Sequence, residues 1–458
     1  MSRIDTIVAR ISRSIDEGLL QPGRRMSSLR LAAEENGVSK NTMVEVYDRL
    51  VALGRLEVRR GSGFYVRAAR RSIIEPPPHM NEAIDIVSLL REQLHQTHPV
   101  RVGDGRPPAS WTEDSELGRH LRLNPARGGV PVEHGYGDPL GYRPLRTHIG
   151  LMLAERSIQV SPDQILLTFG VNHGLDMIIR HLLQPGDTVL VDSPGYYPLF
   201  GKLRLARVEV IGVRRLADGP DLDDLTAQIA QHAPKALFTQ SLAHNPTGGS
   251  IALPVAHRLL QIAARSGMFV IEDDPFADVL PASAPRLAAL DQLERVIYLG
   301  TFSKTLSASL RIGYVAASPS VSKALTDMKM LTVVNSSGYL ERMVSDLITS
   351  GQYRHHLKRL KDRIGKATAR ALENMERLGL PLFAAPSGGY YIWADLDARL
   401  DDLDVARRAS EQGIFIAPGA VFFPERHNPR PGMRINIAHA DDPQFLKFMR
   451  DEMKTRAR

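Results

Sequence analysis

From about residue 101 onward, short unbroken runs of apolar and β-branched residues alternate with longer stretches of helical spacing, and that alternation admits few folds. The runs Ile165–Thr168, Thr188–Val191, Val208–Val213, Ala236–Gln240, Phe269–Glu272, Val296–Leu299 and Ile312–Ala316 show no consistently polar face, and residues 172–183 and 254–266 read as helices between them. A strand that is apolar on both sides must be covered on both sides. The expected body is therefore α/β, a mostly parallel sheet doubly covered by helices. Ligands of such sheets sit beyond the carboxyl ends of the strands, and each polar residue singled out in this region falls at one of those ends.

The run from Val296 continues through Gly300-Thr301-Phe302-Ser303-Lys304-Thr305 to Arg311 and a second apolar run. It reads as a strand, a small-residue turn carrying one lysine, and another strand preceded by a cation. An ammonium buried among apolar neighbours loses hydration and gives up its proton more readily, and the free amine can then form a Schiff base with an aldehyde. Arg311 offers fixed charge for a phosphate. Ser-Lys by itself is a weak signal that an ordinary surface loop also produces, so the neighbouring strand ends decide. Gly170-Val171-Asn172 joins a strand to a helix, and its backbone N–H groups can hold a phosphate. Asn245-Pro246-Thr247-Gly248 offers an amide to a ring substituent. Asp273 can pair with a ring nitrogen, keeping it protonated and electron-withdrawing. Tyr196, after Asp192-Ser-Pro-Gly, can stack on an aromatic ring. Each taken singly is more often a turn or a structural residue; together they point to one site.

The first 67 residues read differently. Ile4, Ile7, Val8, Ile11, Ile15 and Leu19 form one helical stripe; Ser28 can cap a short helix that ends at Asn36-Gly37; Ser39 can cap a third, with Met43, Val46, Tyr47 and Leu50 on one face. Lys40, Asn41 and Thr42 open that third helix and are of the right type to read base edges in a major groove. The segments Arg55–Arg59 and Phe64–Arg67 flank Arg60-Gly61-Ser62-Gly63, a β-hairpin wing. Arg30, Arg59 and Arg60 are placed for phosphates. Through Arg71 there are fourteen Lys or Arg against eight Asp or Glu, so +6 of the formal +7 of the whole chain sits in this part. A basic module on a near-neutral body is the electrostatic footprint of a nucleic-acid binder.

At 458 residues the chain is too long for one ordinary core. No long unbroken apolar run and no signal-type start are present, so the expected address is cytoplasmic, with no membrane partner. The absence of cysteine excludes disulfides, Cys-ligated zinc and thiol catalysis. The expected domains are 1–67, a basic and proline-rich linker over 68–100 with an amphipathic helix through Ala83, Ile86, Val87, Leu90 and Leu94, and a body over 101–458.

The order of elements in residues 1–67 resembles the winged helix-turn-helix of the GntR family of regulators, at Pro22-Gly23, Ser28, Arg30, Gly37-Val38-Ser39, Thr42, Tyr47, Leu50, Gly54 and Arg60-Gly61-Ser62-Gly63. The body is similar to fold type I aminotransferases, with a smaller C-terminal α+β subdomain. That resemblance implies pyridoxal 5'-phosphate as cofactor, with Lys304 forming the internal aldimine and Asp273 on the pyridine nitrogen. It further implies Asn245 at the 3'-oxygen, Tyr196 stacked on the ring, and Thr301, Ser303, Arg311, Val171 and Asn172 around the phosphate. Tyr136, in Tyr136-Gly-Asp-Pro-Leu-Gly, matches the tyrosine contributed across a homodimer interface, and Arg434, in Gly432-Met-Arg-Ile-Asn, matches the arginine that grips a substrate carboxylate.

Three positions depart from these patterns. Met26-Ser27-Ser28 lacks the GntR proline. Ser307-Ala-Ser-Leu replaces a Pro-Gly turn. Phe276, in Asp273-Asp-Pro-Phe, stands where the aminotransferase family has a tyrosine whose phenol meets the 3'-oxygen. A GntR-type head on such a body resembles the MocR subfamily. This implies a regulator that binds operator DNA as a homodimer and uses its body as effector site for pyridoxal phosphate or a small amino compound. The alternative is a catalytically active aminotransferase of amino acids that carries a DNA-binding domain.

Overall fold

The chain is described from a computed structural model, which covers residues 3–16, 20–59, 61–67, 90–94, 96–112, 136–425 and 430–455. It divides into two compact units, Met1–Pro76 and Pro77–Arg458. Arg60, most of the expected linker, and Ala83, Ile86 and Val87 lie outside the described residues, whereas residues 90–94 are helical.

In the first unit α1 (Arg3–Asp16), α2 (Leu29–Glu35) and α3 (Lys40–Ala52) precede a hairpin of β1 (Leu56–Arg59) and β2 (Gly63–Val66). The hairpin is antiparallel, with Leu56 opposite Val66 and Arg59 opposite Gly63. Ser28 and Ser39 start the two short helices by accepting hydrogen bonds from the backbone N–H groups of Leu31 and Thr42. Each cap satisfies a donor with no partner inside its helix. Gly37 turns the chain between α2 and α3 at φ +60°, where a side chain would be strained. Ile7, Ala32, Met43, Val46, Tyr47, Leu50, Leu56 and Val66 close one small core.

The second unit is built on an eight-stranded sheet of order β3-β10-β9-β8-β7-β4-β5-β6. Its strands are β3 (Ile165–Thr168), at one edge, β4 (Thr188–Ser193), β5 (Glu209–Leu216), β6 (Gly219–Pro220), β7 (Ala236–Thr239), β8 (Phe269–Asp274), β9 (Val296–Thr301) and β10 (Gly313–Ala316). The pairs β4–β7, β7–β8 and β8–β9 are parallel, while β10 runs antiparallel between β9 and β3. Successive residues enter different cores: Val296 and Tyr298 join one face, Ile297 and Leu299 the other. That double burial is why these runs are apolar without alternation. A smaller antiparallel sheet, β11-β13-β12, with β11 at Tyr391–Asp395, β12 at Ala417–Pro418 and β13 at Gly432–Asn436, packs with helices Gln352–Leu378 and Pro443–Thr455 in a third core. Residues 100–106 are tied to this part: Gly103 N–H donates to the Phe415 carbonyl and Asn436 N–H to that of Val102. No helix among the described residues is long and apolar enough to cross a membrane.

Candidate functional site

The register of β10 assembles one end of the site. Gly313 pairs with Thr168 on β3 and with Thr301 on β9, so the turns beginning two residues later, at Gly170 and Ser303, stand side by side. Gly170 precedes the helix Val171–Leu182 with φ +74°. A Cβ there would lie 2.7 Å from a guanidinium nitrogen of Arg311, so glycine is needed both for its conformation and for that close approach. Arg311 donates to the Phe169 carbonyl at 2.9 Å. The Ser303 hydroxyl is buried and has no partner among the described residues. Thr301 donates its hydroxyl to the Ile312 carbonyl and accepts from Ser303 N–H, which shapes the turn. Asn172 offers the helix N-terminus its backbone N–H, while its side chain holds back the rise of the Tyr196 phenol. A helix N-terminus, an arginine and an uncommitted hydroxyl in adjoining turns suit a dianion.

At the ends of β8 and β7, Asp273 is buried. One oxygen, Oδ2, accepts from Gln240 Nε2 at 2.6 Å, and the other, Oδ1, has no partner among the described residues. Gln240 was not singled out in the sequence. Its own Oε1 accepts from Asn245 N–H, and its backbone N–H donates to Asp192. Asp192 pairs with Arg215 at 3.0 Å and accepts from Thr239. Burial works against its charge, yet Arg215 and its hydrogen bonds hold the carboxyl down at about 2. Asp273 lacks such a cation. Burial pushes its carboxyl up to about 7, with Gln240 and Lys304 pulling the other way. A carboxylate with one free oxygen facing Tyr196 across a shared pocket suits a cationic ring N–H. Burial also raises the Tyr196 phenol well above its ordinary value, and Asp273 adds to the rise.

The raised value sets a pH dependence. The fold binds a proton that the unfolded chain, titrating near about 4, gives up. The stability from neutral Asp273 is therefore whole below that pH and lost as pH rises through about 7. Cofactor-free Asp273→Asn should match the parent in thermal unfolding at pH 4 and melt a few degrees higher at pH 8. Equal melting of the two proteins at both pH values would count against this environment.

Lys304 follows Ser303 in the turn and is close enough to Asp273 to restrain the rise of its carboxyl. The sequence reading put its amine among apolar neighbours; instead Nζ donates to the Gly105 carbonyl at 2.6 Å and to the Tyr391 hydroxyl at 3.4 Å. The chain is only partly closed over it, and polar groups from residues 100–106 and β11 hold it. Arg434 is buried, giving Nη1 to Asn245 Oδ1 at 2.9 Å and Nη2 to the Gly103 carbonyl at 2.8 Å, while Nε has no partner among the described residues. The rings of Tyr391 and Phe422 lie 4.6 and 5.1 Å from its guanidinium carbon. No carboxylate among the described residues pairs with it, so a ligand carboxylate would answer a buried cation. Since the Asn245 oxygen is taken, that side chain has only its N–H groups to offer. Phe276 is buried edge-on to Tyr390 and Tyr391. Tyr136 is 85% exposed; the cluster within one chain forms without it.

In the first unit Lys40 and Asn41 are exposed at the start of α3, and Thr42 is half-buried with its hydroxyl 2.8 Å from that of Ser39. Ser28 and Ser39 spend their oxygens as caps. Arg30 is exposed. Arg59 pairs with Glu57 at 2.8 Å and lies over the Tyr65 ring, an exposed pair worth at most about 1 kcal/mol and so easily exchanged for a phosphate. The Ser62 hydroxyl is bonded to that of Tyr65, and Gly61 turns the wing at φ +76°.

Residues 3–66 match the gntR family of bacterial regulatory proteins, and residues 124–451 match aminotransferase class I and II. The chain is 30% identical over 447 residues to the HTH-type transcriptional regulator TauR of Rhodobacter capsulatus, covering 90% of this chain and 89% of that protein. It is also 30% identical over 358 residues to the probable rhizopine catabolism regulatory protein MocR of Rhizobium meliloti, covering 75% and 71%. Among solved structures it is similar to LysN, the α-aminoadipate aminotransferase of Thermus thermophilus complexed with N-(5'-phosphopyridoxyl)-L-leucine. That similarity has a TM-score of 0.72 at 26% identity, over 82% of this chain and 97% of that one.

Proposed function

The chain belongs to the aminotransferase class I and II family and, with its gntR-family head, to the MocR subfamily; from that premise we infer a transcriptional regulator whose body holds pyridoxal 5'-phosphate and reads an amino compound there. The observation that carries the cofactor reading is the pairing of opposite demands across one site. The Asp273 oxygen without a partner faces one end, and the Gly170 helix start, Ser303 and Arg311 form the other. When bound, pyridoxal phosphate supplies an aldehyde that captures amines and a ring that withdraws electrons. Asp273 accepts from the ring nitrogen and keeps its proton in place. Tyr196 stacks on the ring, the Asn245 amide donates to the ring oxygen, and the backbone at Val171 and Asn172 joins Ser303 and Arg311 at the phosphate, in the turn that Thr301 shapes. Lys304 presents the amine that binds the cofactor. Arg434 holds the carboxylate of an incoming amino acid with its parallel N–H groups.

In this reading the domains are a winged helix-turn-helix over 1–67, a linker over 68–100 and the sensing body over 101–458. The protein acts in the cytoplasm, as a homodimer in which the exposed Tyr136 completes the site of a second copy. Lys40, Asn41 and Thr42 read bases, while Arg30, Arg59, Arg60, Gly61 and Ser62 meet phosphates and Ser28 and Ser39 fix the helix starts.

The test is one sample of full-length holoprotein with labelled operator DNA. Adding the cognate amino acid should shift the visible-edge absorbance band and change operator affinity about fivefold or more, the range of allosteric couplings. Keto-acid formation at unchanged DNA affinity would instead favour the second reading, a working aminotransferase with a DNA-binding head. The joint placement of Lys304, Asp273 and Arg434 keeps that reading in play.

A further inference from the structure

We propose that Tyr391, on β11, positions the Lys304 amine. The proposal rests on Lys304 being the cofactor lysine. Gly389 presses the chain entering β11 onto Phe276: a Cβ there would lie 2.8 Å from that of Ala243 and 3.3 Å from two ring carbons of Phe276. The two tyrosines that follow bracket Lys304. Tyr390 donates its hydroxyl to the Lys304 carbonyl at 2.6 Å and so holds the main chain of the turn. Tyr391 addresses the side chain. Its hydroxyl donates to the Gly105 carbonyl at 2.8 Å and accepts from Lys304 Nζ at 3.4 Å, while Nζ donates to the same carbonyl.

The Tyr391 ring is 2% exposed, lies under the Arg434 guanidinium, and meets Phe276 edge-on with centroids 5.7 Å apart. The rings at 276 and 391 therefore share one corner of the site, and the only hydroxyl of the pair is on Tyr391. Packing alone would be served by phenylalanine at both positions. A hydroxyl aimed at the amine that must react, and braced by a main-chain carbonyl, positions that amine. Tyr391 is a positioning residue, acting through Lys304.

The experiment uses the full chain freed of cofactor. Tyr391→Phe, Phe276→Tyr and the exchange Phe276→Tyr/Tyr391→Phe are each mixed with pyridoxal 5'-phosphate. The growth of the visible-edge band is followed, borohydride trapping locates the attached lysine, and thermal unfolding reports on packing. Loss of the hydroxyl that orients the amine should slow capture by Tyr391→Phe about tenfold, with unfolding little changed. Phe276→Tyr should stay at the parental rate, and the exchange should recover to within about threefold of it. Capture at the parental rate in Tyr391→Phe overturns the proposal. So does an exchange no faster than Tyr391→Phe, which would assign Tyr391 to packing. Trapping at a lysine other than Lys304 in the parent chain would strike the reading of the cofactor site, whatever the variants do.

Discussion

Lys304→Ala should abolish the visible-edge band of the holoprotein and every borohydride-trapped adduct, and lower cofactor affinity by about two orders of magnitude or more. The cofactor should not be lost altogether, because the phosphate cradle and Asp273 keep hydrogen bonds worth about 1–3 kcal/mol each when charged. Lys329 is the informative control. It is fully buried, and desolvation, opposed by Glu341, pushes its ammonium down to about 8. An amine so easily deprotonated could pass for the reactive one. But it donates to the carbonyls of Pro139 and Leu167 and to the Ser336 hydroxyl, so its three protons are spent on tying β3 and the segment before it to residues around Ser336. Lys329→Met should destabilise the body and leave the trapped peptide at Lys304. A trapped adduct that survives in Lys304→Ala would sink the assignment.

Removing the head, residues 1–67, should weaken operator binding by about a thousandfold or more, the usual span between specific and non-specific association. Within the head the cost divides by chemistry. Lys40 and Asn41 stand exposed at the N-terminal turn of α3, an end fixed by the Ser39 cap, so Asn41→Ala should cost about 1–3 kcal/mol and relax preference at one base pair. Neutralising Arg60 should weaken all sequences alike and reduce the salt slope by about one contact. Fluorescence anisotropy at two salt concentrations separates the two. An isolated body that binds operator as tightly as the whole chain would refute this division of labour.

What was legible in the sequence was whatever short-range chemistry determines. The caps Ser28 and Ser39, the buried face Met43-Val46-Tyr47-Leu50, and the strands ending near Asp273 and Lys304 all follow from spacing and turn chemistry. Gly170 could be read as a turn, but not as the seat of Arg311, since that contact depends on β10 lying between β3 and β9. Contacts set by packing across long separations were invisible. The Lys304 amine meets Gly105 and Tyr391, 199 and 87 residues away, and nothing near Lys304 announces either. Gln240 was hidden for another reason: a glutamine at a strand end is ordinary until its two amide atoms are seen to serve different partners.

That divided service of Gln240 constrains how the sequence can drift. Its nitrogen must face Asp273 and its oxygen the Asn245 N–H, so the amide can neither turn over nor lose its polarity. Glutamine and glutamate are one base change apart, and that neighbouring codon would set a second carboxyl against Asp273, to be resolved only by a proton held between them. Glutamate at position 240 would therefore tie the protonation of the site to that shared proton, a demand that glutamine does not make.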